Sequence, residues 1–201
     1  IKQHIKSYIV KIHTVILAAG EGSRMKSNRA KSLQPIGGHS MLKRIYETVA
    51  NITDETSFVV GYEKKSIIKE TESFKGNLHI SEQKKPIGTA DAVKSSFDSI
   101  SDESKVLVLY GDVPLIKEST LKNLLSLTED SLTILTTVLE DPFGYGRVKK
   151  DISGFAKSIV EEKDASEDEK KITEIFTGIL CCNKKLLAEA VNDVSNENAA
   201  S

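Results

Sequence analysis

Residues 106–110 read VLVLY, a strand-length run that is apolar at every position and ends in a polar GD. A strand in a half-wet sheet alternates apolar and polar residues. One that is apolar throughout must be covered on both faces, as parallel sheets are. The neighbouring segments repeat the theme: TVIL (14–17), SFVVG (57–61) and LHIS (78–81) alternate with stretches of helical period, SMLKRIYETVANI (40–52), EKKSIIKETESF (63–74), TADAVKSSFDSI (89–100) and ESTLKNLLSL (118–127). This βαβα order predicts an α/β fold of Rossmann-like type, a doubly wound, mixed and mostly parallel sheet with helices on both sides. After residue 128 the rhythm turns to strands separated by short turns: SLTILTTVL, GRVKK, FAKSIVEEK and ITEIFTGILCC. Residues 13–201 read as one domain with no internal linker. Residues 1–12 read as an amphipathic N-terminal extension whose apolar residues are broken by Lys2, Lys6 and Lys11, with no small-residue cleavage site of a secretory signal.

The charge balance narrows the possible partners. With 28 basic and 29 acidic residues the formal net charge is −1, so no global field favours nucleic acid or an anionic membrane, and phosphate recognition must be local. No apolar run approaches the ~18 residues of a membrane span. The two cysteines, Cys181 and Cys182, are adjacent and would point to opposite faces of a strand, so they form no CxxC chelate. A reducing, cytoplasmic setting is expected. The run EEKDASEDEKK (161–171) reads as a solvated loop or short helix, and the four histidines (4, 13, 39 and 79) are scattered and read as structural.

The first strand runs directly into LAAGEGSRMKSNRAKSLQP (17–35). In an open parallel sheet, ligands bind beyond the carboxyl ends of the strands, and this first junction is the usual phosphate site. Gly20 and Gly22 permit positive φ and bring N–H groups near anionic oxygens. Arg24 and Lys31 add a planar fork and a point charge suited to a triphosphate. Met25 stands where the dinucleotide fingerprint needs its third glycine, and no GxxxxGK[ST] is present. A tight turn with surface ion pairing would explain the glycines alone.

The same stretch, LAAGEGSRMKSNRAKSLQPIGGHSML, resembles the signature loop of the sugar nucleotidyltransferases. QKKPIGTADA (83–92), LYGDVPLI (109–116), DPFGYGRV (141–148), IVEEKDAS (159–166) and EIFTGILCCN (174–183) follow in that family's order and are similar to its uridylyltransferase, amino-sugar branch. The resemblance covers about residues 14–198 and implies the nucleotide-diphospho-sugar transferase type of fold. It also implies a Mg²⁺-dependent reaction of UTP with N-acetylglucosamine 1-phosphate, giving UDP-N-acetylglucosamine, a cell-wall and lipopolysaccharide precursor, and pyrophosphate. The implied partners are UTP and a sugar 1-phosphate, with no nucleic acid and no membrane. The resemblance further implies that full-length members are homotrimers through an acetyltransferase β-helix, and by the same comparison this chain is expected to be a C-terminally truncated nucleotidyltransferase domain without that β-helix.

The resemblance also implies residue roles. The backbone of Leu17, Ala18, Ala19 and Gly20 would frame the uridine, and Gln83, Gly88 and Thr89 would read the uracil edge, as an amide offering both donor and acceptor can. Tyr110 and Gly111 would border the substrate. Arg24 and Lys31 would serve the triphosphate as the catalytic cations, since such transfers rest on positioning and electrostatics. Asp112 would hold the metal. Gly146, by its backbone, and Glu161, by its carboxylate, would meet the sugar, with Glu162 as the rival. Two departures stand out. Phe176 occupies the place of an asparagine that contacts the acetamido sugar, ahead of Thr177 and Gly178, and Ala30 replaces the proline before the lysine. The alternatives are a catalytically impaired module that binds UTP or a UDP-sugar, and a related sugar nucleotidyltransferase with a different sugar.

Overall fold

The computed structural model describes residues 10–22, 25, 27 and 29–193. In chain order, β1 is Ile12–Leu17, a two-residue ribbon is formed by β2 (Pro35–Ile36) and β3 (His39–Ser40), and α1 (Met41–Val49), β4 (Glu55–Val60), α2 (Lys64–Thr71), β5 (Leu78–Glu82), α3 (Thr89–Lys94), β6 (Lys105–Tyr110) and α4 (Glu118–Leu127) follow. The second half contains β7 (Thr133–Val138), β8 (Arg147–Lys150), β9 (Ala156–Val160), β10 (Glu174–Asn183) and α5 (Lys184–Asn192). The main sheet has the order β5-β4-β1-β6-β10-β8-β9, with β7 paired to the other side of β10. Strands β5, β4, β1 and β6 are parallel to their neighbours, whereas β10, β8, β9 and β7 pair antiparallel.

The all-apolar strands are buried on both faces, as the sequence pattern requires. Ile16, Phe58, Leu107 and Leu109 pack on one side against Leu42 and Ile45 of α1, Ile67 of α2 and Leu121 of α4. Val15, Leu17, Val106 and Val108 pack on the other against Ala92 and Val93 of α3 and Leu187 of α5. Each fully buried aliphatic side chain contributes about 1.5–3 kcal/mol. Helix α1 buries Leu42, Ile45, Tyr46 and Val49 at helical spacing, and its start is fixed by Ser40, whose Oγ accepts from the Lys43 N–H at 3.0 Å. Helix α5, which the sequence reading left unassigned, is capped in the same way by Asn183 Oδ1 accepting from the Leu186 N–H at 2.8 Å. Cys181 faces the first layer and Cys182 the second, and both are fully buried. Among the described residues no helix is long and apolar enough to cross a membrane.

Strand β10 changes partners along its length. Its C-terminal half pairs with β6 (Leu180 opposite Val108) and its N-terminal half with β8 (Ile175 opposite Arg147). The transition coincides with a register shift against β7 between Phe176 and Leu180. Gly178 sits in this bulge at φ +82°, and a Cβ there would fall inside the Tyr110 ring. Only glycine satisfies both the backbone and the packing.

At the amino ends of the parallel strands, two histidines of the main sheet, His13 and His79, come together. His13 is buried, stacks on His79 at 5.6 Å between ring centroids, and shares a 2.7 Å hydrogen bond between Nε2 and Ser57 Oγ. Glu55 receives His79 Nε2 at 3.0 Å and the Lys11 ammonium at 3.1 Å. This cluster lies at the end of the sheet remote from the strands' carboxyl ends.

Two outcomes follow from this packing. Burial pushes His13 down to about 4 from an ordinary 6.5, against a smaller opposing pull from Glu55. Between those values the unfolded chain holds the extra proton. The contribution of His13 to stability is therefore complete above pH 6.5 and falls by about 3 kcal/mol as the pH drops to 4. Urea unfolding across that window should show the slope in the native chain, and His13→Gln should flatten it. Gly178→Ala should lower stability by about 3 kcal/mol, against about 1 kcal/mol for Gly154→Ala, where φ is also positive but a Cβ meets open space. Thermal denaturation of the two variants side by side reads the difference.

Candidate active site

The carboxyl ends of the parallel strands are laced together beyond the strands themselves. The Ala18 N–H donates to Val59 O at 2.8 Å, Gly111 N–H to Leu17 O at 2.8 Å, Tyr62 N–H to Ala19 O at 3.1 Å and Gln83 N–H to Val60 O at 2.8 Å. Two glycines make this approach possible. A Cβ on Gly61 would lie 3.0 Å from the Ala19 side chain, and one on Gly111 would lie 3.0 Å from Leu17 O. Above this platform opens a cleft of about 270 Å³.

Eleven of the fourteen expected site residues line this cleft: Leu17, Ala18, Ala19, Gly20, Lys31, Gln83, Gly88, Thr89, Tyr110, Gly111 and Asp112. Arg24 lies outside the described residues. Gly146 and Glu161 meet each other in a second place, described below.

The two loop glycines play different parts. Gly22 has φ +67°, and a Cβ there would come within 2.6 Å of the Lys31 Cβ, so the glycine lets the lysine stem pass. Gly20 does not have positive φ, contrary to the expectation for both. A Cβ on Gly20 would meet nothing within 4 Å, because the residue borders the cleft. Lys31 begins a single 3-10 turn, Lys31–Leu33, anchored by buried Ala30, Ser32 and Leu33. Ala30 sits at φ −49° and ψ 140°, a conformation proline also adopts, so the alanine keeps the loop geometry. The turn delivers the Lys31 ammonium to the Asp112 carboxylate, with the two side chains 41% and 27% exposed. Both charges therefore stand at the wall of the cleft with access to a ligand.

Gln83 is oriented by two acceptors. Its Nε2 donates to Gly88 O at 3.0 Å and to Asp91 Oδ2 at 3.0 Å. Because both neighbours accept, the amide nitrogen must face them, which leaves Oε1 as the group available to a donor on a ligand. Asp91 escaped the sequence reading: in TADAVK it looks like an ordinary first-turn carboxylate of α3. Thr89 Oγ1 and the Tyr110 hydroxyl are 3.2 Å apart and join α3 to the end of β6.

The second place lies on β8, β9 and β10. The Glu161 Oε1 is 3.2 Å from where a Gly146 Cβ would stand, and Gly146 O accepts from the Phe176 N–H at 2.9 Å. Glu162 turns elsewhere, to Arg147 and the Gly144 N–H. Tyr110, packed on Gly178 of β10, joins this place to the cleft.

The chemistry of the donor set fits a magnesium ion only in company with a ligand. Among the described residues no group of three acidic, histidine or cysteine side chains gathers as a metal cage. Asp112 offers a single carboxylate at a cleft. Mg²⁺ commonly takes one or two carboxylates and fills its octahedron with phosphate oxygens and water.

Comparison with known proteins shows the family. The family model described as the MobA-like NTP transferase domain matches residues 14–176. The chain is 42% identical over 189 residues to the bifunctional protein GlmU of Neisseria gonorrhoeae, covering 94% of this chain and 41% of that protein. It is 39% identical over 193 residues to GlmU of Listeria welshimeri, covering 94% and 42%. The chain thus spans about two fifths of the length of these relatives. A candidate glucose-1-phosphate thymidylyltransferase from Bacillus anthracis, solved in complex with sucrose, superposes with a TM-score of 0.73 at 18% identity over 92% of this chain and 79% of that one, and shares the fold. The chain is an N-terminal GlmU-like domain and belongs to the family of MobA-like NTP transferase domains.

Proposed function

We propose that the chain transfers the uridylyl group of UTP to a sugar 1-phosphate, with N-acetylglucosamine 1-phosphate as the acceptor, releasing pyrophosphate. The observation that carries this reading is the meeting of Lys31 and Asp112 at the wall of a cleft built on Leu17, Ala18, Ala19 and Gly20. The backbone of those four residues frames the nucleoside. Gln83 Oε1, kept free by Gly88 and Asp91, accepts from the N3–H of uracil. A phosphate oxygen of the sugar 1-phosphate attacks the α-phosphorus in line. The bond to the bridging oxygen breaks, and pyrophosphate leaves with the electron pair. Lys31 moves from Asp112 onto the phosphates and stabilises the charge that develops there. Asp112 would hold Mg²⁺, which when bound neutralises phosphate charge. Arg24 completes the cation set in this reading.

Pyrophosphate release with UTP, Mg²⁺ and sugar 1-phosphates tests the proposal. Lys31→Ala should lower turnover by about 10²–10³-fold, the usual effect of removing one group that stabilises transition-state charge. Retained UTP binding with no pyrophosphate from any sugar 1-phosphate would instead identify an impaired binding module.

Phe176 favours a second reading of the acceptor. It stands opposite Thr136 on β10 and hydrogen-bonds Gly146 through its backbone, and its phenyl ring offers nothing to an acetamido group. In this reading the preferred sugar lacks that group. Phe176→Asn should then raise kcat/KM for N-acetylglucosamine 1-phosphate relative to glucose 1-phosphate by about tenfold, as gaining one hydrogen-bonding contact does. A ratio that does not move would remove Phe176 from sugar selection.

A further inference from the structure

Arg147 is the largest fully buried side chain among the described residues, at 2% exposure, and it begins an otherwise ordinary strand. A buried guanidinium is costly unless its charge and its donors are met. Here the Nη2 donates to Glu162 Oε2 at 2.7 Å and the Nη1 donates to the carbonyl of Tyr145, while the Nε has no partner among the described residues. The Glu162 Oε2 also accepts from the Gly144 N–H at 3.0 Å. Gly144 is in the left-handed region at φ +83°. Two successive residues of the 141–146 turn, Gly144 and Tyr145, are thus held by one ion pair, the first through its N–H and the second through its C=O. Arg147 lies on β8, one strand in from the sheet's edge, in register with Val160 of β9 and Ile175 of β10.

The next residue of that turn is Gly146, which faces the Glu161 carboxylate and accepts from Phe176. Glu161 and Glu162 are adjacent and divide the work: one side chain stands beside Gly146 and the other ties the turn to the sheet. Resting on the reading of a sugar 1-phosphate acceptor, we propose that Arg147 and Glu162 are positioning residues that hold the 141–146 turn, and with it the Gly146 backbone, at the distance from Glu161 that a sugar ring requires. Neither touches the substrate. The buried guanidinium is retained because a shorter or flexible partner would let the turn drift. A misplacement of about 1 Å at a positioning contact costs up to about 10²-fold in rate.

Two measurements on the chain carrying Glu162→Ala, Glu162→Gln or Arg147→Lys test this. Steady-state kinetics should show the KM for the sugar 1-phosphate rising by about tenfold in Glu162→Ala, with the KM for UTP unchanged. Glu162→Gln, which keeps a neutral acceptor for both donors, should restore part of the loss. Amide hydrogen exchange of residues 142–146 should accelerate by about tenfold in Glu162→Ala and Arg147→Lys while exchange in β1 and β6 stays as in the native chain. If both KM values rise together, or if exchange accelerates throughout the sheet, the pair is merely structural and the proposal falls. It falls equally if neither KM nor exchange at 142–146 changes. Should the native chain turn over no sugar 1-phosphate, the acceptor reading and the sugar-site role fail together, and the exchange result still decides whether the pair holds the turn.

Discussion

The functional edge of the protein depends on how closely four parallel strands can end. Strands β1, β4, β5 and β6 stop side by side, and their last peptide groups continue to bond across the gap, Ala18 to Val59, Gly111 to Leu17 and Gln83 to Val60. A side chain at position 61 or 111 would force these backbones apart, because each glycine already stands at about the closest approach a Cβ tolerates. Buried on both faces, β1, β4 and β6 cannot shift without disturbing two layers of helices. The cleft therefore inherits the rigidity of the core. Its polar groups project from elements that have few other places to go.

Strand β10 extends that rigidity to the second half of the fold. A single strand pairs with β6, whose end lines the cleft, at one end and with the β8–β9 hairpin at the other, and the change occurs where Gly178 yields space to Tyr110. The Tyr110 ring is at once a wall of the cleft, a neighbour of Thr89 and the body against which β10 bends. Displacement of that ring would be felt at both places. The cleft and the Gly146–Glu161 place are thus mechanically joined by the side chain at the end of the strand that made the fold recognisable in the sequence.

The layered core was legible because burial on both faces leaves a simple mark, unbroken apolar runs such as VLVLY. Helix α4 coincides with ESTLKNLLSL for the same reason, since its period matches its buried Leu121, Leu124 and Leu125. The cleft residues were legible through motifs, and eleven of them do line one cleft. Other features had no such mark. Nothing in GRVKK marks Arg147 as buried, yet both it and Val148 are, because β8 lies between β10 and β9 and not at the sheet's edge. Asp91 matters through a long-range contact with Gln83 that no local pattern encodes. The pairing of His13 with His79 likewise joins two strands that are separated by β4 in the sheet, and no spacing along the chain announces it.

The adjacent cysteines of β10 acquire a use from their placement. Burial pushes the Cys182 thiol up to about 12 and raises Cys181 as well, so neither is a thiolate at neutral pH and neither reacts while its layer is closed. One thiol is sealed by the helices of the first layer and the other by those of the second. A layer that peels away alone would uncover one sulfur and leave its neighbour protected, whereas concerted unfolding would uncover both. The thiols of two adjacent residues thus report separately on the two faces of one sheet.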